Sequence, residues 1–279
     1  MQSNSHYEKC EIPIIWYFAS GRIPIFGDSV NKWIFSIFAP SKTRIKMTQK
    51  KTSFTKDTKL AELLTDDRRL LQLLPRFGIA LGFGDNNIEK VCRMNHVNTE
   101  LFLMICEIYS DSGFMPGQKE LQQIDMNGLL SYLKASHLYY LDERFPHIEE
   151  HLQHIIEACG QKYGPMLNHF YDEYKQEVMR HIKYYEEEVV FPYIEALLKG
   201  ERTDSYKIDE FEHNHTNIQD VLDDMMNILL KYLPGDILPK ERIEISHDII
   251  ELSDDLNRHS LIEERILIPC VESLENTQP

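Results

Sequence analysis

The sequence predicts an all-α fold, a four-helix up-down bundle preceded by a small helical N-terminal domain. Three observations lead there. From about Lys119 to Leu274 apolar residues recur at helical spacing, with no β-type alternation. That span divides into four long stretches joined by polar connections, the pattern of a bundle. Two of the stretches also end in copies of one block. Glu186-Glu187-Glu188-Val189-Val190-Phe191-Pro192-Tyr193-Ile194-Glu195-Ala196-Leu197 matches Glu263-Glu264-Arg265-Ile266-Leu267-Ile268-Pro269-Cys270-Val271-Glu272-Ser273-Leu274 in its Glu, Glu, Pro, Glu and Leu.

Taken in order, residues 1–46 form an atypical extension. They hold both tryptophans, six Lys/Arg and three acidic residues, and Pro13, Gly21, Pro24, Gly27 and Pro40 break every apolar run. Two readings stay open: translation that naturally starts at Met47, or a genuine extension. Residues 47–110 read as a small helical domain with leucines at helical spacing (Leu60, Leu63, Leu64, then Leu70, Leu71, Leu73, Leu74). Gly78, Gly82 and Gly84 mark a turn, and Asn87 and Asn98 are placed to cap two helices. Ser110–Gly117 reads as a linker, and residues 118–279 carry the bundle. Helix A spans about Gly128 to Ala158, helix B Gly164 to Lys199, helix C Tyr206 to Leu233 and helix D Pro239 to Leu274.

Composition excludes several classes. The chain has 279 residues with 45 acidic and 30 basic side chains, a net charge of −15, which opposes the phosphate contacts of nucleic-acid binding. Five scattered cysteines without a Cys-x-x-Cys pair do not make a disulfide framework, and a reducing cytoplasm fits them best. No apolar run approaches the ~20 residues of a membrane span.

The chemistry lies in the histidines. His181 stands five residues before Glu186 and His259 four before Glu263, while His137 and His215 each lie 44 residues before one of those histidines. All four fall on apolar stripes; His213, two residues from His215, falls off it. One such histidine alone would be an ordinary hydrogen-bonded core residue. Four histidines and two glutamates in two copies of one spacing imply a two-metal site inside the bundle. His259 and Glu263, at i and i+4, share a helix face. His181 and Glu186 would lie about 140° apart on an unbroken helix at ~100° per residue. A π-bulge near Tyr184-Tyr185 would bring both inward, and the alignment with helix D selects Glu186 over Glu187. The donor set suits iron, manganese or zinc. Six protein ligands cannot saturate two octahedral ions, so water, dioxygen or nitric oxide must complete the coordination.

At His181…Glu186-Glu187…Phe191-Pro192, His259-Ser260-Leu261-Ile262-Glu263-Glu264…Ile268-Pro269 and Ser136-His137…Phe145-Pro146 the chain resembles the hemerythrin-like (HHE) domains. Among these it is similar to the repair-of-iron-centres family. The resemblance covers helices A to D, and residues 52–109, with Arg76-Phe77-Gly78-Ile79, resemble that family's small N-terminal domain. It implies two iron ions and a role in repairing iron–sulfur clusters under nitrosative or oxidative stress. Two departures stand out. Ala80-Leu81-Gly82-Phe83-Gly84 replaces a stretch that usually carries adjacent cysteines, which argues against cysteine-based redox or iron transfer. A further histidine common about twenty residues after the first-helix ligand is here Ala158 or Cys159.

The leading expectation is therefore a cytoplasmic di-iron protein that handles nitric oxide, dioxygen or labile iron and serves iron–sulfur proteins. The alternative is a sensor or adaptor whose iron or redox state changes a contact of the N-terminal domain. A metal-free helical scaffold is the third reading.

Overall fold

The computed structural model describes residues 54–201, 206–213, 222 and 225–277. The extension at 1–46, the histidine chosen on helix C (His215) and the alternative start at Met47 lie outside the described residues. Among the described residues the protein is helical with no strand; Lys59 and Asn87 form an isolated bridge. No described helix is long and apolar enough to cross a membrane.

The first helices are short because caps and glycines end them. α1 (Leu60–Asp66) buries Leu60, Leu63 and Leu64 and stops at Asp67, whose side chain accepts from Arg69 N in the following 3-10 turn, Arg68–Gln72. α2 (Leu73–Arg76) is closed by Gly78, which takes φ +66° at no steric cost while Ile79 N donates back to Leu74 O at 2.8 Å. Asn87 caps α3 (Ile88–Met94) and Asn98 caps α4 (Thr99–Ser110), each side chain accepting from an N–H three residues on, as the sequence predicts. α5 (Gln118–Leu121) is a single turn inside the stretch leading to the first long helix.

Helix A begins at α6 (Met126–Leu138), capped by Asp125, and continues through a π-helical segment, Tyr139–Arg144, into α7 (Phe145–Met179). Within this span Gly160 leaves the helical conformation, at φ +57° and ψ −160°. Tyr171 and Phe145 show what that does: 26 residues of straight helix would separate them by ~39 Å. Instead Tyr171 Oη donates to Phe145 O at 3.1 Å, and Lys175 Nζ meets Glu149 at 2.7 Å. The chain doubles back at Gly160, so helix A ends there and helix B begins. Gly164 lets the two arms meet, since a Cβ there would lie 2.7 Å from Ile156 O.

Helix B passes through a second π segment, Arg180–Val190, into α8 (Phe191–Leu198). Of helix C the described parts are α9 (Asp209–His213), Leu222 and the stretch through the π segment Ile228–Tyr232. Helix D comprises α10 (Pro239–Ile262), a π segment at Glu263–Leu267 and α11 (Ile268–Thr277). Lys134–Glu195 and Lys175–Glu149 hold A antiparallel to B. Arg144–Asp248 ties A to D, and Tyr193 Oη, 2.5 Å from Glu275, ties B to D.

The π segments have a cause in the sequence. Pro146, Pro192 and Pro269 stand one residue inside the α-helix that follows each of three of them. A proline lacks the N–H that the fourth preceding carbonyl needs, and its ring crowds that carbonyl. Those carbonyls belong to Asp142, Glu188 and Arg265, all inside π segments. The sequence places Pro192 and Pro269 near the ends of B and D, where a broken hydrogen bond is tolerated better than in mid-helix. They do lie near those ends, in the last segments Phe191–Leu198 and Ile268–Thr277, and a widened turn ahead of each absorbs the lost bond.

Two apolar cores result. One joins the leucines of α1–α4 to Leu129, Leu130 and Leu133 of A, Phe191 and Ile194 of B, and Ile262 and Ile266 of D. The other joins Tyr140, Ile148 and Leu152 of A to Tyr174, Val178 and Ile182 of B, Leu222 and Leu229 of C, and Ile249 and Leu252 of D. The helices before Ser110 thus share a core with the long helices and belong to the same compact unit. At the seam between the two cores helices A, B and D turn polar side chains inward.

Candidate metal centre

Three helices meet at that seam. A contributes His137, B contributes His181 and Glu186, and D contributes His259 and Glu263. All five are buried, with exposures of 0% for His137, Glu186 and Glu263, 3% for His259 and 7% for His181. Five of the six residues selected from sequence are therefore brought together, and His215 lies outside the described residues. The π segment Arg180–Val190 lies where the His181–Glu186 interval requires a widened turn, and both side chains face the cluster. On D the π segment starts at Glu263, so His259 and Glu263 keep their α-helical i, i+4 relation.

The donor atoms fall into two groups, each compact enough for one ion. In His137, Glu186 and His259, and again in His181, Glu186 and Glu263, the candidate ligand atoms lie within 4.8 Å of one another. Glu186 is common to both. Its Oε2 is 2.9 Å from His137 Nε2 and 3.6 Å from His259 Nε2, and its Oε1 is 3.0 Å from His181 Nε2. Glu263 places Oε1 3.2 Å from His259 Nε2 and Oε2 3.9 Å from His181 Nε2. Each carboxylate thus faces imidazoles from two directions, the disposition of a bridging ligand.

The electrostatics are those of a site shaped for cations. Burial alone would raise the Glu186 carboxyl, but the His137, His181 and His259 imidazoles outweigh it and hold Glu186 well below the usual carboxylate range. Burial alone would lower His181 and His259, but Glu186 and Glu263 push His181 up to about 10 and His259 up to about 9. Without a metal, protons balance the two carboxylates, and a metal ion binds such a site by displacing them.

His259 tests whether a metal fits. Neither of its ring nitrogens makes a hydrogen bond, although Nε2 is at ion-pair distance from two carboxylates. Buried polar atoms are nearly always paired, and an unpaired one costs about 1–3 kcal/mol. Close approach without alignment is expected of donors aimed at a common third point. The residues fit a metal ion.

Sequence reasoning missed several supports. Glu187 accepts from His137 Nδ1 at 3.2 Å and pairs with Lys183 at 2.8 Å, so it fixes the ring that presents Nε2 to Glu186. A carboxylate behind a ligating histidine sets its tautomer and orientation. The doubled Glu186-Glu187 was the available signal, and it holds only on B, because the matching Glu264 on D is exposed. Phe191 stacks on His137 with centroids 5.3 Å apart, Phe211 lies 5.9 Å from His181, and Tyr140 meets His259 edge-on at 5.6 Å. These rings wall the cluster from water.

A second buried polar group lies one turn before His259. The Arg76 guanidinium, carried by α2, forms a close bidentate pair with Asp255 of D, and Tyr109 Oη donates to the same carboxylate at 2.5 Å. Arg258 Nη1 donates to Ile108 O at 2.8 Å beside it. The early helices therefore grip the helix that carries His259 and Glu263.

Comparison with known proteins agrees with this geometry. The family model described as the hemerythrin HHE cation-binding domain matches residues 129–271, just over half of the chain and the whole span that supplies the cluster. No curated protein and no solved structure matches.

Proposed function

Since the chain belongs to the hemerythrin HHE cation-binding family, whose members typically hold iron, we propose that it is a non-haem di-iron protein. In this reading A to D form a four-helix up-down bundle, with the small set of N-terminal helices packed on it in the same compact unit. One iron would be held by His137, Glu186 and His259, the other by His181, Glu186 and Glu263, with His215 of helix C as a further ligand. The observation that carries the reading is the pair of buried donor groups sharing Glu186. Such a pair of ions supplies redox capacity and open coordination positions for a small ligand such as nitric oxide or dioxygen. The protein's own part is positioning. Glu186, common to both donor groups, would serve both ions, Glu187 holds His137 Nδ1, and Phe191, Phe211 and Tyr140 keep bulk water from the donors. The proposed role is handling of nitric oxide, dioxygen or labile iron in the cytoplasm, serving iron–sulfur proteins under nitrosative or oxidative stress.

Metal analysis of protein purified without oxygen tests the centre. Two irons per chain are expected, and His259→Ala should fall well below that. Retention of two irons after alanine replacement at His137, His181, His215 and His259 in turn would refute the assignment.

One observation favours a second reading, a sensor or adaptor without turnover. Asp255, bound by Arg76, is one helical turn from His259, so a shift of helix D on metal binding bears directly on the early helices. Sustained consumption of nitric oxide over many turnovers supports the first reading. Iron-dependent change in hydrogen exchange across 60–110, without turnover, supports the second.

A further inference from the structure

A separate cluster of metal-binding side chains lies outside the buried centre, ten residues or ~15 Å along helix A from His137. His147 and His151 stand one turn apart on α7, with ring centroids 4.4 Å apart. Asp248 of α10 faces them, its Oδ2 3.3 Å from His147 Nε2. The candidate ligand atoms of the three residues lie within 4.8 Å of one another. His147 is exposed and the other two are half-buried, so an ion can enter from solvent. Arg144 steadies the carboxylate by donating to Asp248 O at 3.2 Å and to Asp248 Oδ1 at 3.3 Å, with Glu251 3.8 Å away. That leaves Oδ2 for the histidines.

We propose that His147, His151 and Asp248 form a peripheral site for a divalent transition-metal ion of the zinc class, distinct from the buried centre. Two imidazoles and one carboxylate are the donor set of an open zinc site, in which water takes the remaining position. The i, i+4 spacing puts both imidazoles on one face of a stiff helix. Donors on one tetrahedral ion with ~2.0–2.1 Å bonds are ~3.3 Å apart, so small side-chain rotations close the site. A surface ion pair explains less: it needs His147 and Asp248 but gives His151 no part. The acidic chain, 45 carboxylates against 30 basic side chains, also favours cations near its surface. An ion bound there clamps helix A to helix D and stabilises the fold by mass action.

The test is titration of the full chain with cobalt(II), read by visible absorption, followed by displacement with zinc(II). One peripheral equivalent is expected in the parent and also in His259→Ala, which separates it from the buried centre. Loss of an outer-shell partner alone costs about 10–100-fold in metal affinity, so His151→Ala and Asp248→Asn should each weaken zinc by at least ~10-fold. The iron content of both variants should match the parent, and circular dichroism should show an unchanged helical spectrum. Equal zinc affinity in the parent and both variants overturns the proposal. So does zinc uptake that occurs only as iron is lost or that vanishes in His259→Ala.

Discussion

Replacing Arg76 with Leu keeps an apolar stem at the contact between the early helices and helix D and deletes the guanidinium. Both side chains of the pair are 2% exposed, so Asp255 would be left as a buried carboxylate. It would lose both guanidinium contacts and keep the Tyr109 hydroxyl. Breaking one side of a buried ion pair costs about 3–5 kcal/mol, and the remaining tyrosine bond favours the lower end. At ~2–4 °C per kcal/mol for a chain of this class, the melting temperature should fall by roughly 6–20 °C. The double replacement Arg76→Leu with Asp255→Leu removes both charges, and apolar substitution of a whole buried pair is often near neutral. It should therefore recover at least half of the loss. Urea unfolding followed by circular dichroism, on the parent, both singles and the double, gives the coupling energy. A single-variant loss under ~1 kcal/mol, or a double as destabilised as the sum of the singles, would refute a buried pair that depends on mutual compensation.

The remaining predictions bear on the site and on pH. Glu186→Gln and Glu263→Gln should each lower iron content and change the Mössbauer signature of a coupled pair. Glu187→Gln, whose amide oxygen still accepts from His137 Nδ1, should keep its iron, whereas Glu187→Ala should lose about 10–100-fold in affinity; equal losses in both Glu187 variants would remove its orienting role. On helix C, His215→Ala should lose iron and His213→Ala retain it, and the reverse result would transfer the ligand to His213. Burial raises the phenols of Tyr109, Tyr132 and Tyr174 above the ordinary value of 10. Their stabilising share is complete below pH 10, where both states are protonated, and is lost as pH rises further, because only the unfolded chain then ionises freely. Absorbance at 295 nm should show these phenols ionising together with loss of helical signal; simple titration near pH 10 in the folded protein would contradict their burial.

Much of the architecture was legible because it rests on local signals. Asn87 and Asn98 cap where their side chains reach the third N–H on, and the leucines of α1 and α2 pack where their spacing puts them. The choice of Glu186 over Glu187 rests on a repeat, and the wide turn it demands lies at Arg180–Val190. What was not legible depends on distance along the chain. Arg76 and Asp255 are 179 residues apart, and nothing in either neighbourhood marks them as partners. The reversal at Gly160, by contrast, falls in the gap the sequence leaves between helix A, ending near Ala158, and helix B, starting near Gly164. The widened turns in A and near the end of D were readable in principle from Phe145-Pro146 and Ile268-Pro269, had the carbonyl four residues before each proline been traced. His147 and His151 lie too far along helix A to join His137, and Asp248, which gives them a third partner, comes from another helix.

The widened turn in helix B has a consequence for sequence length. The two block copies are offset by 77 residues at Glu186 and Glu263 but by 78 at His181 and His259. One copy therefore carries one residue more between histidine and glutamate, and the π segment stores it without moving either side chain out of the cluster. Helix B is in that sense a slip joint: the residues up to Arg180 keep one register, and those from Phe191 onward keep another. Deleting the exposed Tyr184 would shorten the chain yet restore an i, i+4 relation like that of helix D. The same deletion four turns earlier would rotate every later side chain by ~100° and turn Glu186 out of the seam.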